Sequence, residues 1–160
     1  MRVGTNYKEA STHFPLLIKA VQSTTGDVCE MGSGWFSTPL LHWLCQGRKL
    51  VTYESNEDYY KFAKHFRSKN HKIRWLREAD FTRKWSVVFI DHSPKKPRRR
   101  GDDAMLFNTD LLVLHDTEPN ELEHYGYADV LQQYKYRNDW TLCKPHTTVL
   151  SNIIDVTQWT

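Results

Sequence analysis

The chain has 160 residues, 39% hydrophobic, 26% charged and 13% aromatic, which fits one globular domain over residues 1–160 and excludes a disordered or fibrous chain. No apolar run reaches the ~20 residues of a membrane-spanning helix, residues 1–11 lack a secretory signal's apolar core, and three scattered cysteines (Cys29, Cys45, Cys143) offer neither a disulfide framework nor a CxxC metal site. The net charge of +3 comes from 22 basic against 19 acidic side chains, yet removing the single run Lys95, Lys96, Arg98, Arg99 and Arg100 leaves 17 against 19. These features predict a cytoplasmic, reducing setting with no membrane partner. The basicity is local rather than the broad face of a nucleic-acid binder.

Phe14, Leu17, Ile18 and Val21 recur at helical spacing, with Ser11 or Thr12 as cap and Pro15 in the first turn. Residues 27–30, between Gly26 and Gly32, read as a first strand. Residues 39–46 read as a helix capped by Thr38, opened by Pro39 and ended by Gly47. A second strand over 50–53 precedes Ser55-Asn56-Glu57-Asp58, which opens a helix with Tyr59, Phe62, Ala63 and Phe66 on one face. Residues 72–76, 85–90 and 111–114 supply three more strands. The last two are nearly continuous apolar runs, as in a parallel sheet covered on both faces. Strands alternating with helices imply βαβ units, hence a Rossmann-like, doubly wound α/β fold with a mostly parallel sheet and helices on both faces. At the carboxyl end, residues 140–144 and 147–153 flank Pro145-His146 and read as an antiparallel hairpin.

The most informative segment is Glu30-Met31-Gly32-Ser33-Gly34-Trp35-Phe36, between a strand and a helix. Glycines at such a turn let the backbone bend sharply and let a ligand approach without Cβ interference. Glu54, about 20 residues beyond Gly34, closes the second strand, where a carboxylate can accept from both ribose hydroxyls. With Asp80-Phe81 after the third strand and Asp91 closing the fourth, the pattern resembles the class I S-adenosylmethionine-dependent methyltransferases, and the terminal hairpin resembles that family's antiparallel last strand. The resemblance implies S-adenosylmethionine as cofactor. Glu30, Gly32, Ser33, Gly34 and Trp35 would surround its methionine moiety, Glu54 would hold the ribose, Asp80 and Phe81 would border the adenine, and Asp91 would close the pocket. Phe36 stands where many members have a third glycine. A nicotinamide-dependent oxidoreductase and a nucleoside-binding protein without catalysis are the rival readings.

Ligands of open α/β sheets bind beyond the carboxyl ends of the strands, so Asp91-His92 and His115-Asp116, closing neighbouring strands, should converge near the transferred methyl. The same pairs resemble a branch of small-molecule methyltransferases that includes metal-dependent O-methyltransferases. His92 or His115 would serve as the base for a hydroxyl acceptor, or Asp91 and Asp116 would hold Mg²⁺ and lower that hydroxyl's pKa. Arg98, Arg99 and Arg100 follow at the mouth of the site and suit a small, anionic acceptor, against the plainer reading of a solvated charged loop. The fourth-strand motif lacks the aromatic that would clamp a base amine, so nucleic acid is not expected as a partner. Tyr125, Tyr127, Tyr134, Tyr136 and Trp140 read as cover for the sheet or as an interface between copies of the chain.

Overall fold

The computed structural model describes residues 9–93 and 99–159. Seven strands form one sheet: β1 (Val28–Met31), β2 (Leu50–Glu54), β3 (His71–Trp75), β4 (Lys84–Ile90), β5 (Asn108–His115), β6 (Tyr136–Trp140) and β7 (Thr147–Ser151). Their spatial order is β3-β2-β1-β4-β5-β7-β6. The first five are parallel, with Val28 opposite both Leu50 and Val87, and β7 runs antiparallel between β5 and β6. Among the described residues six α-helices accompany them: α1 (Phe14–Gln22), α2 (Ser37–Leu44), α3 (Glu57–Ala63), α4 (Arg100–Ala104), α5 (Leu122–Tyr125) and α6 (Tyr127–Leu131). Among the described residues no helix is long and apolar enough to cross a membrane.

Alternation along the strands divides the apolar residues between two cores. Val28, Leu50, Val87, Phe89, Leu111, Val113 and Val149 face one way and are covered by Leu16, Leu17, Ala20 and Val21 of α1 and Leu41 of α2. Cys29, Met31, Val88, Ile90, Leu112, Leu114 and Leu150 face the other way, beneath Ala104 of α4 and Tyr127 and Val130 of α6. Cys29 is thus a core residue, fully buried, as its place inside the first strand implies.

Several boundaries depart from the sequence expectation. The first arm of the terminal hairpin is β6, four residues earlier than expected, and the connection runs over residues 141–146. Strand β6 is a half-exposed edge, so its Tyr-Arg-Asn-Asp-Trp sequence needs no apolar run. Asn56 caps α3 as expected, accepting from the amides of Asp58 and Tyr59. Neither Ser11 nor Thr12 caps α1, whose capping residue is His13 without a side-chain bond. Thr38 lies within α2, and its hydroxyl serves another partner.

The turn after β1 brings that strand's end against the end of β4. Gly32 has φ +96, and a Cβ there would stand 2.5 Å from the backbone N and Cα of His92. Gly32→Ala should therefore lower stability by at least the ~1–3 kcal/mol typical of a strained backbone position, because clash and strain add. Urea denaturation measures this; Gly34→Ala, whose φ is ordinary and whose Cβ would meet only the Ser37 hydroxyl, should cost less. Equal losses for the two variants would contradict the assignment.

Candidate functional site

The turn is tied down from below. The Gly34 amide donates to Thr38 Oγ1 (3.0 Å), and that hydroxyl donates to the Glu30 carboxylate at 3.0 Å from either oxygen. Thr52 Oγ1 donates to Glu30 Oε2 at 2.6 Å. Glu30 is fully buried, so it does not front the open site as the family resemblance implied; it acts on the turn through Thr38. Burial pushes its pKa up to about 7 against the opposing pull of the threonine hydroxyls. From Thr52 the polar chain continues to His71 Nε2 (2.8 Å) and from His71 Nδ1 to His42 Nδ1 (3.1 Å).

Glu54, at the end of β2, is nearly buried and saturated by the protein. Its Oε2 accepts from the Ser33 amide (2.7 Å) and hydroxyl (2.9 Å), and its Oε1 accepts from the amides of Ser55 (2.5 Å) and Asn56 (2.6 Å). Trp35 packs on Phe62, with ring centroids 4.1 Å apart.

The structure brings Asp91, His115 and Asp116 together and adds Arg100, whose guanidinium joins the ends of β4 and β5. Arg100 donates from Nη2 to Asp91 Oδ1 (3.0 Å), from Nη1 to Asp116 Oδ2 (2.6 Å), and from Nε to the His92 carbonyl (2.5 Å). It also lies 4.2 Å from the Tyr125 ring centroid. The two carboxylates expected to hold Mg²⁺ are thus already bridged by an organic cation. Asp116 adopts φ +59, a left-handed conformation that Asp tolerates better than most residues. His115 Nδ1 stands 3.2 Å from Asp91 Oδ1 and 3.4 Å from Asp116 Oδ1, and its Nε2 bonds Thr12 Oγ1 at 3.0 Å. Burial alone would lower the His115 pKa, but Asp91 and Asp116 more than offset it and the net shift is upward. Burial alone would raise Asp91, yet His115 and Arg100 hold its carboxyl well below the usual carboxylate range.

His92 turns away from this group. Its Nε2 faces Asp103 Oδ2 at 3.1 Å, both side chains being buried, and its Nδ1 faces the Ser93 carbonyl at 3.1 Å. Two cavities open on either side of it. The larger, about 300 Å³, is lined by Met31, Glu54, Leu76, Phe81, His92 and Asp103. The smaller, about 210 Å³, is lined by His13, Ser33, Gly34, Trp35, Asp91 and His92 among others, and also borders Glu54. Phe81, expected beside the adenine, lines the larger cavity. Asp80 does not: it is exposed, and its carboxylate accepts from the Thr82 amide and hydroxyl in a local turn. Asp103 supplies the carboxylate at that cavity instead.

The basic run does not present three cations to an acceptor. Arg100 is buried in the bridge just described, and Arg99 pairs with Asp102 at 3.4 Å; Arg98 lies outside the described residues. Sequence reasoning missed His13 and Asp103 altogether. No pattern signals His13, and Asp103 sits inside a short acidic pair that reads as surface.

No protein-family model and no curated protein sequence matches the chain. Solved structures do. A putative caffeoyl-CoA O-methyltransferase from Staphylococcus aureus superposes with a TM-score of 0.62 at 12% identity, over 86% of this chain and 80% of that one. The N-terminal domain of human METTL16 in complex with SAH gives 0.56 at 12% identity, over 96% and 73%. The human METTL16 catalytic domain in complex with the MAT2A 3'UTR hairpin 6 gives 0.59 at 12% identity, over 98% and 74%. The fold is that of the class I methyltransferases. The antiparallel β7 between β5 and β6 separates it from the dinucleotide-binding order 3-2-1-4-5-6. The METTL16 complex corrects the expectation against nucleic acid: proteins of this methyltransferase fold include one solved on an RNA hairpin, so local basicity is no ground for excluding such partners.

In this methyltransferase fold Glu30 carries a measurable pH signature. The folded state keeps its carboxyl protonated to about pH 7, whereas the ordinary value is 4.5, so stability is lost as pH rises from about 4.5 to about 7 and is level above. Glu30→Gln should remove that slope and raise stability at pH 8 by on the order of 3 kcal/mol. Urea melts of both proteins at pH 5 and pH 8 measure the difference; a variant less stable than the parent at pH 8 would contradict a strained buried carboxyl.

Proposed function

We propose that the chain is an S-adenosylmethionine-dependent methyltransferase whose cofactor spans the two cavities. The observation that carries this reading is their meeting at Glu54 and His92, on the carboxyl edge of a sheet with β7 inserted antiparallel. The larger cavity suits the adenine, between the apolar side chains of Leu76 and Phe81, with Asp103 as a hydrogen-bond acceptor. Glu54 takes the ribose hydroxyls, which replace the Ser33 hydroxyl on Oε2. The Gly32–Gly34 backbone borders the methionine end, where absence of a side chain permits close approach.

When bound, the cofactor supplies the methyl group as the electrophile of an in-line displacement. The protein's part is orientation and charge. Asp91, held ionised by His115 and Arg100, lines the smaller cavity and can accept the acceptor's O–H or N–H, aligning its lone pair with the methyl. His92 stands between the two cavities, held by Asp103 and the Ser93 carbonyl on its two ring nitrogens, and positions the wall that both cavities share.

The test begins with calorimetric titration by S-adenosylhomocysteine and NADH. Binding of the first and not the second is expected, and Glu54→Ala should weaken it by ~1.5–3 kcal/mol, the range for hydrogen bonds to a charged group. A turnover screen over small hydroxyl and amine acceptors and RNA then identifies the acceptor, with Asp91→Asn expected to cost about 10²–10⁴-fold. Affinity unchanged in a folded Glu54→Ala variant would sink the cofactor assignment.

A further inference from the structure

His13 has a buried imidazole without a partner. It is 1% exposed, and neither ring nitrogen meets a hydrogen-bonding group. Leaving a buried polar group unpaired costs ~1–3 kcal/mol, so such a group in a native core calls for an absent partner. The ring packs on Phe89 (centroids 4.8 Å apart) and stands edge-on to His115 at 5.1 Å. One ligand atom from each of His13, Asp91 and His115 lies within 4.8 Å of the other two. His13 and Asp91 both line the smaller cavity.

We propose that His13, Asp91 and His115 form a site for a transition-metal ion of the Zn²⁺ class, opening onto the smaller cavity. Two imidazoles and one carboxylate suit Zn²⁺, Co²⁺ or Fe²⁺, whereas Mg²⁺ prefers an all-oxygen shell. Metal–ligand bonds of roughly 2.0–2.2 Å set tetrahedral donors about 3.4 Å apart, so the three donors need to close by only ~1 Å. A metal would displace the proton that His115 Nδ1 now shares with Asp91 Oδ1 at 3.2 Å, while Nε2 stays on Thr12 Oγ1 as the outer-shell bond usual for ligating histidines. Arg100 and His115 both engage Asp91 through Oδ1. The guanidinium fixes the carboxylate from one side, and the metal takes the oxygen facing the imidazoles. Once a metal has displaced the His115 Nδ1 proton, Asp91 and Asp116 outnumber Arg100 and leave one negative charge to balance a divalent cation. This ligand set differs from the Asp91–Asp116 pair expected from the sequence, because Arg100 already occupies the space between those carboxylates.

Three protein ligands leave a coordination position toward the cavity. On the methyl-transfer reading, and only there, a Lewis acid at that position would lower the pKa of an acceptor hydroxyl. Metal binding itself does not depend on that reading.

The experiment titrates the chelator-stripped full chain with Co²⁺, followed by visible ligand-field absorption, and then with competing Zn²⁺. One ion per chain is expected, with a rise in Tm on Zn²⁺ addition. His13→Leu and His13→Asn should each weaken binding by more than the roughly 10–100-fold cost of losing an outer-shell partner. Metal-free His13→Leu should melt no lower than the metal-free parent, since it removes two unpartnered nitrogens, and it should lose the Zn²⁺-dependent rise. His124→Ala, an exposed histidine, should bind as the parent does. Absence of Co²⁺ and Zn²⁺ binding by the parent would overturn the site. So would binding that survives both His13 variants and disappears in His42→Ala, which would put the ion on the His42–His71 pair. Calorimetry with S-adenosylhomocysteine on the same samples separates the two readings: metal binding without it leaves this site standing and removes the methyltransferase, and the reverse removes this site alone.

Discussion

One guanidinium holds the working end of the sheet together. Strands β4 and β5 are neighbours, and each is followed directly by an aspartate; without a cation between them Asp91 and Asp116 would repel one another in a poorly solvated place. Arg100 bridges them and also bonds the carbonyl of His92 just past β4, satisfying a backbone group that has left the ladder. Lysine would replace it poorly, since these bonds leave from three different nitrogens of the guanidinium, a spread that a single ammonium nitrogen does not have. Removing one partner from a buried arrangement of this kind typically costs ~3–5 kcal/mol, because the remaining charges stay buried and unpaired. That bridge fixes Asp91 and Asp116 in place, and with His115 it holds Asp91 ionised.

The other half of the site depends on a polar seam between α2 and the sheet. Glu30, Thr38, Thr52, His71 and His42 form a connected chain of hydrogen bonds running from the glycine turn toward the opposite end of the strands. A connected network of this kind is acceptable in a core because each member finds a partner. It fixes the turn's backbone from beneath, while Glu54 fixes it from the side through Ser33. The turn is therefore held from beneath by groups that line neither of the two site cavities, and from the side by Glu54, which borders both.

Much of this architecture is legible in the chain. The apolar runs of β4 and β5, the glycine turn after β1 and Glu54 at the end of β2 report local constraints, and local constraints leave local patterns. What the sequence conceals is which member of a uniform stretch turns inward. Arg98, Arg99 and Arg100 look alike, yet only Arg100 opens α4, beside Gly101, where a Cβ would stand 1.9 Å from the Gly126 carbonyl oxygen; that close packing draws the residue into the core. Thr38 looks like a helix cap and serves Glu30 instead, since a buried carboxylate competes more strongly for its hydroxyl than exposed backbone amides do. His13 carries no signal because its meaning lies in Asp91 and His115, which are distant in sequence. The half-exposed edge β6 hides for the opposite reason: it has little apolar surface to show.

On the proposed function, the two cavities meeting at Glu54 and His92 receive one adenosyl ligand. A crystal structure with S-adenosylhomocysteine bound tests it most directly. Adenine is expected in the larger cavity against Phe81 and Leu76, both ribose hydroxyls within hydrogen-bond distance of Glu54 in place of the Ser33 hydroxyl, and the amino-acid end at the Gly34 turn. Ligand density elsewhere on the sheet, with the Ser33–Glu54 bonds undisturbed, would contradict it.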